Sequence, residues 1–100
     1  MSGGNWDHMQ YQFTRVINDI TDVIEKNGKK RENRTFEWEN EYYFKYSEET
    51  IKKFKEARLN IAEAQEHIQR LDWLFSDDDG EDNYLERLDD NLEEIREKYS

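Results

Sequence analysis

SEETIKKFKEARLNIAEAQEHIQRLDWLF, residues 47–75, is the stretch that decides the fold. It holds no glycine and no proline, and a seven-residue repeat runs through it. Phe54, Ile61, Ile68 and Phe75 lie seven apart. Ala57, Ala64 and Leu71 form a second series three positions on, with Ile51 one turn earlier. Apolar residues alternating three and four apart share one side of an α-helix, so the spacing predicts an amphipathic helix with a strong seam. At 1.5 Å per residue such a helix is roughly 40 Å long, and it needs neighbours to bury its seam. Alanine in a seam implies close helix approach, so Ala57→Leu or Ala64→Leu is expected to destabilise by about 1–3 kcal/mol. Ser47 is placed to cap the start, and Glu48 and Glu49 suit the positive end of the helix dipole.

The neighbours are visible on both sides. Upstream, Trp6, Met9, Phe13, Val16, Ile20 and Val23 repeat the same alternation, widened by Ile17 and Ile24. Asn5 can cap this helix, and Asn27-Gly28 ends it, because glycine readily takes the left-handed conformation that closes a helix. Downstream, residues 76–80 (SDDDG) read as a turn, with Asp79 or Ser76 available as a cap. Leu85, Leu88, Leu92, Ile95 and Tyr99 then form a third seam. The expected fold is an all-α, three-helix antiparallel bundle with helices over about 5–27, 47–75 and 81–99. The long helix is shared between its neighbours, in one domain spanning 1–100.

The connection 29–46 is expected to be irregular and rich in aromatics. Residues 29–34 (KKRENR) are basic and read as a solvated loop. In residues 35–46 (TFEWENEYYFKY) half the side chains are aromatic. Phe36 and Trp38 alternate with charges as in a strand, but a lone strand in a helical protein has nothing to pair with.

Composition agrees with a thin core. Hydrophobic residues are 34% of the 100, charged residues 40%, and the net charge is −10. Such a balance leans toward disorder, but the regular helical spacing of the apolar positions argues for folding. With no cysteine, neither disulfides nor thiolate metal sites can form. No apolar run approaches the ~20 residues of a membrane span, and no secretory signal is visible, so the cytoplasm is the expected compartment. From Asp72 onward there are twelve acids and three bases, whereas the preceding residues hold thirteen and twelve. An acidic C-terminal end disfavours nucleic acid, whose phosphates require Lys and Arg. It favours a protein partner with a basic surface, or plain solubility.

Several patterns suggest chemistry. With Gly80 at the sixth position of a calcium loop, Asp77, Asp79 and Glu86 fall on ligand positions, but Phe75 occupies the first and cannot ligate. Glu63-x-x-Glu66, then nineteen residues, then Glu86-x-x-Asp89 matches in form the carboxylates of the all-α, metal-dependent NTP pyrophosphatases. The seam places Glu63 and Glu66 on the outer side of the long helix, however, which argues against a shared site. His8 and His67 lie off their seams and read as surface residues. Trp73 lies opposite the seam with Leu59 and Ala62. Either residues 36–46 fold over it, or it joins Tyr11 and Trp38 as an aromatic recognition patch. No catalytic residue, cofactor or metal site is expected. The candidate partner-binding residues are Trp73, Asp77, Asp78, Asp79, Asp82, Glu86, Asp90, Glu93, Tyr11 and Trp38.

Two stretches carry a resemblance. Ser2-Gly3-Gly4-Asn5-Trp6-Asp7 with Tyr11 resembles the opening of a family of small bacterial and phage proteins that begin with Ser-Gly-Gly, an aromatic and Asp or Asn. Gln69-Arg70-Leu71-Asp72-Trp73-Leu74, Ser76, Asp78-Asp79-Gly80-Glu81 and Glu86-Arg87-Leu88 resemble the same family's C-terminal signature. The match covers about a third of the chain. Asp77 departs from the glycine of that pattern, and the aromatic middle lies outside it. The resemblance implies a phage or prophage setting and no particular activity. It also implies that Gly3 and Gly4 make a tight backbone contact, and that Trp6 meets the corner between Trp73 and Gly80. The expected function is a small acidic, non-enzymatic protein-binding module, a phage- or mobile-element-encoded modulator of a host defence protein, with homo-oligomers allowed. An immunity protein neutralising a toxin and a pyrophosphatase-like enzyme are the alternatives.

Overall fold

The computed structural model describes residues 6–30, 42–76 and 79–99. They form three helices: α1, Asp7–Lys26; α2, Glu48–Phe75; and α3, Glu81–Tyr99. The protein is all-α, and its helix ends fall within two residues of those expected. Trp6, not Asn5, occupies the cap position of α1 and makes no side-chain cap bond. Asn5, Gly3 and Gly4 lie outside the described residues. Ser47 caps α2 as expected, its hydroxyl accepting from the Thr50 amide at 3.2 Å.

α2 is the central helix. Gln65 on α2 donates to the Gln10 carbonyl at 3.1 Å and to the Thr14 hydroxyl at 2.8 Å, and Arg58 donates to the Thr21 hydroxyl at 3.0 Å. On α3, Asn91 donates to the Glu66 carboxylate at 2.6 Å, and Arg96 pairs with Glu63 at 3.4 Å. Partner numbers on α2 fall as those on α1 or α3 rise, so both outer helices run antiparallel to it. Among the described residues no Cα of α1 lies within 8 Å of one of α3. The extents, 59 × 26 × 16 Å, fit a single layer of helices, each ~10–12 Å across.

This layer turns the helices in ways the spacing did not indicate. In α1 the row Gln10, Ile17 and Ile24 faces α2, and Ile17 is the buried residue. The row Met9, Val16 and Val23 is turned aside, leaving Met9 and Val16 each 42% exposed. In α2 the polar row Arg58, Gln65 and Asp72 faces α1, next to the Phe54 series. The tightly buried alanine is Ala62, 4% exposed, not Ala57 or Ala64. Glu63 and Glu66, expected on the outer side, face α3.

The connection ends in a clasp. Gly28, at φ +78°, provides the left-handed residue that ends α1. Its amide donates to the Phe44 carbonyl at 2.8 Å, and the Tyr43 amide donates to the Lys29 carbonyl at 3.2 Å. The Asn27 side chain exchanges two bonds with the Tyr46 backbone. Residues 42–46 therefore pair with the end of α1, a partner the sequence did not reveal. Residues 31–41, Phe36 and Trp38 among them, lie outside the described residues.

Candidate interaction surface

α3 has two unlike sides. Leu92 is buried against α2, with Leu88, Ile95 and Tyr99 half-buried on the same side. On the other side Asp82, Glu86, Asp89, Asp90, Glu93 and Glu97 are all exposed. Their spacing of three or four residues aligns them along one edge of the helix. None of the six forms an ion pair among the described residues. The edge spans roughly 22 Å at 1.5 Å per residue.

At the turn from α2 to α3, charges are buried instead. Arg70 is 5% exposed and Asp72 3%. The Arg70 guanidinium lies 3.4 Å from Glu66 and 3.7 Å from Asp79, and it stacks 4.1 Å over the Trp73 ring. Arg70 Nε and Asp79 Oδ2 are buried without a hydrogen-bond partner. The attraction there is thus ionic, at distances beyond those of good hydrogen bonds. The chain is held at this turn by the Asp79 amide, which donates to the Trp73 carbonyl at 3.2 Å.

The sequence-predicted site residues therefore separate into groups. Asp82, Glu86, Asp90 and Glu93 share the open edge of α3. Asp79 does not belong with them, because its carboxylate faces Arg70 inside the turn. Trp73 is half-buried beneath the same arginine. The described part of the aromatic segment does not cover it: Tyr46 packs edge-on against Phe54 at 5.2 Å, roughly 28 Å along α2 from Trp73. Tyr11 is 78% exposed, but α2 separates α1 from the α3 edge. Asp77, Asp78 and Trp38 lie outside the described residues. Trp6 does meet the corner, its ring edge-on to Phe75 at 6.2 Å.

The carboxylates of the pyrophosphatase-like pattern do not converge. Glu63 and Glu66 are held by Arg96, Asn91 and Arg70, while Glu86 and Asp89 face solvent. Among the described residues no group of three or more His, Cys, Asp or Glu side chains is placed to hold a metal ion. None of their helices is long and apolar enough to cross a membrane.

Arg70 was missed from sequence, although a signal was present. Glu66, Arg70 and Trp73 follow at i, i+4 and i+7, a spacing that puts acid, base and ring on one helical face. Comparison with protein-family models, curated proteins and solved structures gives no match to this chain.

Proposed function

We propose that this chain is a non-enzymatic protein-binding module that offers the acidic edge of α3 to a basic surface on its partner. The observation that carries this is the row of six exposed acids on one rigid helix, free of ion pairs among the described residues. Six charges over ~22 Å approach the density of a single DNA strand, about one phosphate per 3.4 Å. A surface that receives phosphates is therefore a natural complement. The resemblance to small phage and bacterial proteins supports a more specific role, as a modulator that occupies such a site on a host defence protein. Glu63 and Glu66 already have cationic or amide partners, which favours binding over metal-dependent catalysis.

The test is capture from a host lysate at low salt, comparing the parent with Glu86→Lys/Asp90→Lys/Glu93→Lys. Exposed charges mainly steer encounter, so the reversed protein should associate with the captured partner at least tenfold more slowly. The difference should shrink as salt shortens the screening length toward ~3 Å. Equal on-rates at low salt would reduce the edge to a solvated surface. Turnover of a nucleoside triphosphate with Mg²⁺ or Mn²⁺, abolished by Glu63→Gln or Glu86→Gln, would replace binding with catalysis.

A further inference from the structure

The geometry points to a second copy of this chain as the cover of the apolar face formed by α1 and α2, giving a symmetric dimer with a four-helix core. A folded domain normally packs two layers of secondary structure around its core. The described helices form a single layer, 16 Å in the shortest extent, and no described side chain is completely buried. Among the exposed large apolar side chains, Met9 and Val16 (42% each) and Phe75 (66%) lie on this face, whereas Leu85 (53%) is on α3 and Tyr11 (78%) on the other flank of α1. Phe13 and Val16 line a shallow groove with Met9 and Gln12, and farther along α1 Ile20 and Val23 line another with Phe54 and Tyr46, at whose rim Asp19 is the one charged residue.

Helical phase places these residues on one face. Met9 and Val16 lie on the flank of α1 next to the row that faces α2. In an antiparallel pair that flank adjoins the side of α2 carrying Ala57, Ala64, Leu71 and Phe75. The seven-residue repeat of α2 thus runs along the open face of the layer, while the row Arg58, Gln65 and Asp72 faces α1.

Charge and area favour a second copy as the occupant. The six acids of α3 lie across α2 from α1, so two copies can meet through their α1–α2 faces without bringing acidic edges together. Along this side of α2, Lys53 and His67 interrupt a row otherwise neutral, and Lys53 is paired with Glu56 at 3.4 Å. The face is about 30 Å long, from α1, and about 18 Å wide for two helices. That is on the order of 550 Å² per copy and 1,100 Å² in all, above the ~1,000 Å² a specific interface requires. An isologous contact presents the same patch from both copies, and two antiparallel hairpins packed face to face make a four-helix core.

This inference is independent of the acidic edge, and the two respond oppositely to salt. Sedimentation equilibrium of the full chain should show a species of twice 12.3 kDa, whose formation strengthens with salt because each copy carries −10. Partner capture through the acidic edge should weaken over the same range. Val16→Glu should weaken self-association about a hundredfold, since the symmetric contact carries the substitution twice, while helical content is retained. Met9→Glu provides the same measurement if Val16→Glu fails to fold. The lysine-reversed α3 variant should dimerise at least as well as the parent. A chain that stays monomeric at high micromolar concentration would overturn the inference. So would a dimer that survives both glutamates, or a monomer whose captured partner is lost on Met9→Glu, which would give the face to that partner.

Discussion

Arg70 shows how a single side chain can hold a turn against the helix that precedes it. Its cation lies among Glu66, Asp79 and the face of Trp73, with a side chain only 6% exposed. Removing one partner of a buried charge set leaves the others uncompensated, which costs more than the contact itself contributes. Arg70→Met is accordingly expected to lower stability by about 3 kcal/mol or more in urea unfolding. Adding Asp79→Asn in the same chain should recover part of that loss, because one stranded carboxylate is neutralised. Equal stability of Arg70→Met and the parent would show that the turn is held without this cluster. The Glu66–Arg70–Trp73 part of the arrangement is readable from helical spacing. Asp79 approaches only after the chain reverses at residues 76–80, and no periodicity encodes that approach.

Among the elements, α2 shows what periodicity can and cannot settle. Its existence, length and Ser47 cap follow from local residues, and the structure contains all three. The seam Phe54, Ala57, Ile61 and Ala64 correctly marks an apolar side. It does not say which neighbour lies where, because that depends on side chains contributed by other helices. Gln10, Thr14 and Thr21 on α1 bond to Gln65 and Arg58, and this polar register turns the apolar row partly toward the open face. Ala62, 4% exposed between α1 and α3, is the alanine whose burial implies a close helix approach. Ala62→Leu should therefore destabilise by about 1–3 kcal/mol through overpacking. The same change at Ala57 or Ala64 should cost less than half as much. Equal costs at the three sites would mean that the close approach lies elsewhere.

Over the whole molecule, the three helices, their antiparallel order and the central place of α2 were legible in the sequence. The openness of the layer was not, because no local pattern records whether the outer helices meet. That openness has an energetic signature. Ile17 is buried on α1 and Leu92 on α3, and among the described residues no Cα of α1 lies within 8 Å of one of α3. Truncations to alanine at the two sites should add within about 0.5 kcal/mol in a double-mutant cycle, as expected for sites that share no partner. Coupling well above that would reveal a connection, for which Arg58 is the candidate, since it reaches Thr21 at 3.0 Å and stacks 5.0 Å from the Tyr99 ring. The same arrangement bears on how the chain folds. Among the described residues each helix packs only on its neighbour in sequence and most contacts lie within helices, a pattern that favours fast folding. The α1–α2 hairpin makes its contacts without α3, so it can close first and leave α3 to dock on an α2 already in place.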